Sequence, residues 1–141
     1  MLLSKMEPFM HRLFFNHPCL FYDRKDVFGQ PMIEYARFLT YDLGSAFAAV
    51  WRYNTLGNIQ PLNEACAFLS DAISSGVVEG NAEIAHQMRM SLEDFPHAGW
   101  DDWVLIAIAE GGLERLMWAV SEIEKHREQS YEKFSPRTSS N

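Results

Sequence analysis

The stretch Glu83-Ile84-Ala85-His86 has the spacing of a metal site. A carboxylate and an imidazole three residues apart share one face of a helix and can reach a single ion. Carboxylate-bridged di-iron bundles use this E-x-x-H spacing twice, with two further glutamates on facing helices. No second copy occurs here, and the rival pair Glu122 and His126 lies four apart in the charged stretch SEIEKHRE. An incomplete ligand set leaves no metal or other cofactor expected.

Nucleophilic chemistry has equally little to build on. No serine sits in a G-x-S-x-G elbow. Cys66 lies between alanines with no neighbouring base to generate a thiolate, and Cys19 is separated from His17 by Pro18. Gly111-Gly112 belongs to neither a G-x-G-x-x-G nor a G-K-[ST] phosphate loop. The expectation is a chain without catalysis.

The carboxylates say more. Residues 91–103 read SLEDFPHAGWDDW, with Glu93, Asp94, Asp101 and Asp102 set among Phe95, Trp100 and Trp103. Paired acids can do acid–base or glycosidic work, but they are also common in any acidic chain. From Glu79 to Glu124 ten acids face two bases, Arg89 and Arg115, a local charge of −8 within a total of −7. Concentrated like charge steers a cationic partner, and Trp supplies desolvated anchors at interfaces. Glu93, Asp94, Trp100, Asp101, Asp102 and Trp103 are therefore the candidate partner-binding residues. The plainer explanation is that acids before a helix cap its free N–H groups and complement its dipole.

These residues need helices to hold them. Pro31 opens an apolar-periodic segment to about Tyr53 (Ile33, Ala36, Phe38, Tyr41, Leu43, Phe47, Val50, Trp51), read as one helix that Gly44-Ser45 bends or brings close to a neighbour. Pro61 opens a second, to about Ile73, closed by Ser74-Ser75-Gly76. Asn81 is an N-cap for a helix over 82–93. Asp101 or Asp102 caps a final segment from Trp103 to about Glu128, which Gly111-Gly112 kinks or splits. Ser4 and Glu7 suggest a capping box for an opening helix, and residues 19–30 read as a loop. The pattern predicts an all-α fold: a single compact bundle of five or six helices over residues 1–129, with a flexible tail at 130–141.

The 141 residues suffice for one domain with its own core, since hydrophobic residues make up 48%. A pI near 5.1 disfavours phosphate binding, and hence nucleic acid, as the main activity. Two cysteines without metal or disulfide spacing fit a reducing, cytoplasmic setting. No signal peptide or membrane span is expected, because Val104–Ala109 is the longest uninterrupted apolar run.

Three function classes follow. The first is a small acidic binding protein that neutralises a basic partner, of the type of bacterial immunity proteins and antitoxins acting on nuclease toxins. The similarity is one of type, not of matched motifs. The second is a chaperone or adaptor for a secreted or phage protein, suggested by Met6, Phe9, Met10, Phe14, Phe15, Phe21 and Phe28 near the start. The third is a small helical metal-dependent enzyme using Glu83 and His86.

Overall fold

The computed structural model describes residues 25–53, 59–95 and 98–133, without the side chains at 25, 26 and 130–133. The expected opening helix, Cys19 and all but one of the early Met and Phe residues lie outside this range. Among the described residues the fold is all-α. Five helices of eleven residues or more are preceded by two single turns. In chain order they are α1 (Lys25–Phe28), α2 (Ile33–Ala36), α3 (Tyr41–Arg52), α4 (Gln60–Ser75), α5 (Ala82–Glu93), α6 (Trp100–Glu110) and α7 (Leu113–Lys133).

α6 is the centre of the bundle. Val104 through Ala109 are all buried, and the helix packs against α3, α5 and α7. A helix that is apolar all round can be stable only when neighbours cover every face. α3 and α4 form the most extensive helix pair, α4 also packs on α7, and α5 covers the remaining side of α6. Leu43, Phe47, Val50, Leu62, Leu69, Met88, Leu105, Ile108, Leu116 and Ile123 fill the space between them.

The Pro31–Tyr53 segment is two helices, not one. The chain tightens after Ala36, where Phe38 and Leu39 N–H donate to the carbonyls of Tyr35 and Ala36. It then runs extended at Thr40 (φ −63°, ψ 168°) before α3 begins. Phe38 and Tyr41, expected to face inward, are consequently exposed. Gly44 marks a close approach, since a Cβ there would stand 3.1 Å from the Ala36 carbonyl oxygen. The 19–30 region also departs from a loop at its end, where α1 buries Val27 and Phe28. Phe28 joins Tyr35, Phe47 and Trp51 in an aromatic cluster with ring centroids 5.8–6.3 Å apart. The Tyr35 hydroxyl donates to the Phe28 carbonyl at 2.6 Å, which satisfies the polar end of a buried ring.

α4 and α5 follow the pattern closely. Pro61 sits in the first turn of α4, and Gly76 ends it in the left-handed region (φ 79°, ψ 8°), where a residue without Cβ is least strained. The Asn81 side chain accepts the Ile84 N–H at 3.1 Å and caps α5. Gly111-Gly112 does split the last segment. There the chain crosses residues 78–81: Gly112 N–H donates to the Val78 carbonyl and Asn81 N–H to the Ala109 carbonyl, both at 2.7 Å. Among the described residues, no helix is long and apolar enough to cross a membrane.

Candidate functional site

The residues of SLEDFPHAGWDDW divide between the surface and the frame. Glu93 closes α5 and Asp94 is its C-terminal cap; both are exposed. The next helix starts earlier than its apolar pattern indicates. Gly99, not Asp101 or Asp102, is the N-cap of α6, so Trp100 through Trp103 form its first turn. Asp102 is only 3% exposed, and its carboxylate accepts the Gly99 N–H at 3.0 Å. It serves the helix from the third position, where a side chain reaches back to the cap. A carboxylate buried and bound to the backbone in this way has the capping role that the sequence also allowed for it. Asp101 is half-buried, with one carboxylate oxygen lying beside Gly99.

The two tryptophans face different ways. Trp100 is partly buried against the core. Its ring stacks on His126 of α7, with centroids 4.0 Å apart and planes 2° from parallel, and meets Tyr53 at 5.6 Å. Trp103 is 46% exposed. It lines a cleft of about 230 Å³ between α5, α6 and α7, together with Arg89, Ile106, Ala107, Glu110, Arg115 and Trp118. Trp118 is 41% exposed. Sequence reasoning passed over Trp118 and this cleft. The signal was present: Trp103, Ala107 and Glu110 recur at four and three residues on α6, and Arg115 and Trp118 are three apart on α7.

The acidic block is partly neutralised inside the fold. Glu110 receives both bases of that segment, Arg89 and, at 3.4 Å, Arg115. Glu122 pairs with Lys125 at 3.4 Å and lies 3.9 Å from His126. Burial holds His126 below the usual imidazole range, with Lys125 acting in the same direction and Glu122 and Asp101 opposing it. Glu83, Glu93, Asp94, Glu114 and Glu124 remain exposed.

The other candidates fall apart in space or into the core. Glu83 and His86 are both exposed on α5, and among the described residues no three His, Cys, Asp or Glu side chains converge as a metal site would require. Cys66 is buried in α4, and burial pushes its thiol up, away from the thiolate form. Asp42 and Asp71 meet across α3 and α4, and their hydrogen bond raises Asp42 above the usual carboxylate range, with desolvation and repulsion adding to it.

Comparison with family models, with curated proteins and with solved structures finds no match to this chain.

Proposed function

We propose that this chain is a non-catalytic binding protein that neutralises a basic protein partner, of the type of immunity proteins and antitoxins that occlude nuclease toxins. The observation that carries the reading is Trp103. A large, rigid indole stands nearly half exposed on the first turn of α6, in the helical turn that also carries Asp101. Glu93 and Asp94 are exposed at the end of the preceding helix. Interface energy concentrates on such aromatic anchors, while charges around them steer the encounter and screen with salt over about 8 Å. On this reading Trp103 fills a pocket on the partner, and Glu93, Asp94 and Asp101 meet its Lys and Arg side chains.

The test is affinity capture from the host's lysate at low and high salt, with wild type beside Trp103→Ala and the triple variant Glu93→Gln, Asp94→Asn, Asp101→Asn. One basic protein held at low salt, released at high salt and lost with either variant supports the reading. Retention of unfolded apolar chains irrespective of salt would instead favour a chaperone. Capture of nothing basic by the wild type sinks the proposal.

A further inference from the structure

The cleft beside Trp103 has the opposite charge from its surroundings. Within a segment of net charge −8, the two bases converge on one carboxylate, and both guanidinium groups use the same oxygen, Oε1 of Glu110. One negative charge between two positive ones leaves a local excess of +1. Arg115 faces Glu110 through its Nε; among the described residues its two Nη nitrogens have no hydrogen-bond acceptor and remain donors. Guanidinium groups held this close repel each other, and a second anion would relieve that repulsion. The fork of an arginine matches a carboxylate in particular.

The rest of the lining restricts the ligand further. Trp103, Trp118, Ile106 and Ala107 supply apolar surface beside the guanidinium groups, so a bare inorganic anion would leave most of the cleft unused. Its volume of about 230 Å³ is below the roughly 300–1,000 Å³ of pockets for drug-sized ligands. A single ring with a short acidic arm is the scale that fits. A cationic guest would meet two guanidinium groups.

We infer that this cleft binds a small aromatic carboxylate, its ring against the indoles and its carboxylate on Arg115 and Arg89. The same chemistry is presented by a free aromatic acid or by the carboxyl end of a peptide that finishes in an aromatic residue. This inference does not depend on the acidic partner-binding face.

The four tryptophans provide the assay. In ¹H–¹⁵N spectra of the full chain, titration with phenylacetate should shift the indole N–H signals of Trp103 and Trp118 saturably and leave those of Trp51 and Trp100 in place. Phenylacetamide, which keeps the shape and loses the charge, should bind about tenfold more weakly or worse. Arg115→Gln should weaken phenylacetate by a similar factor. Glu110→Gln should tighten it, because the competing internal carboxylate is gone, and this variant still decides the matter if Arg115→Gln folds poorly. A short peptide ending in phenylalanine, with a free or amidated carboxyl end, separates the two sources. Tighter binding of the free-ended peptide than of phenylacetate identifies a chain end, and the reverse order identifies a free acid. Equal binding of acid and amide, shifts spread over all four indoles, weaker binding by Glu110→Gln, or no saturable shift with either acid overturns the inference.

Discussion

Replacing Asp102 by alanine separates a cap from a grip more cleanly than any other single change. The carboxylate is 3% exposed and holds the Gly99 N–H at 3.0 Å. Alanine takes the acceptor from that half-buried donor, at about 0.5–1.5 kcal/mol for the hydrogen bond. It also removes a negative charge from the N-terminal turn of α6, worth about 0.3–1 kcal/mol more. The expected loss is about 1–2.5 kcal/mol, a sizeable share of the roughly 5–15 kcal/mol by which domains are stable. Asn at this position keeps an acceptor and loses only the charge, so Asp102→Asn should cost about 1 kcal/mol or less. Urea unfolding followed by tryptophan emission reads both, as a lower midpoint at unchanged slope. Asp101→Asn is the control, because it loses a charge from the same turn without touching the Gly99 bond, with an expected change of about 0.3–1 kcal/mol. If Asp102→Ala costs no more than Asp101→Asn, the carboxylate is not holding the helix start.

Three further outcomes follow from local geometry. Gly111→Ala should cost about 3–5 kcal/mol in the same unfolding assay, because φ is +75° and the new Cβ would run into the backbone of Val78 and Gly80; Gly76→Ala, at φ +79° with open space around it, should cost only about 1–2 kcal/mol. His126 binds its proton more weakly folded than unfolded, so its contribution is complete above about pH 6.5 and declines as pH falls through that unfolded value toward the lower folded one. The drop in melting temperature between pH 7.5 and 5 should therefore be smaller in His126→Phe, which keeps a ring against Trp100 and cannot titrate. Asp42 has the opposite sign: its raised value means a contribution present below the unfolded carboxylate range and lost as pH rises through the folded value. Asp71→Asn should accordingly raise the melting temperature at pH 7, with the gain disappearing near pH 3.5.

What the sequence made legible was whatever depends on local periodicity and on residues with strong backbone preferences. Pro61, Gly76 and Asn81 place the ends of α4 and α5 because each acts through its own φ or its own side chain. The split at Gly111-Gly112 was legible for the same reason, although its cause, the crossing of residues 78–81, is a long-range contact with no local signature. The Pro31–Tyr53 segment misled because Phe38 and Tyr41 keep a helical spacing while standing on the surface. Spacing reports which residues share a face, not whether anything covers it. In the same way the acids at 101 and 102 announced a helix start, but only the fold shows that Asp102 reaches back to Gly99. The cleft was hidden because its walls come from three helices, and no window of sequence contains Arg89, Trp103 and Trp118 together.

Trp103 belongs both to the proposed partner-binding face and to the wall of the carboxylate cleft, so its replacement alone cannot tell the two apart. The charges can. Neutralising Glu93, Asp94 and Asp101 removes attraction for a basic protein and leaves Arg89, Arg115 and Glu110 intact. Trp118→Ala removes cleft wall without touching the 93–103 stretch. A basic partner lost only with the first set, and an aromatic acid lost only with the second, would mean two surfaces that share one indole. Since both ligands need that side chain, they would then exclude each other, and phenylacetate should release the bound protein in proportion to its occupancy of the cleft. Independent binding would mean that Trp103 serves just one of them, and the variant that abolishes binding identifies which.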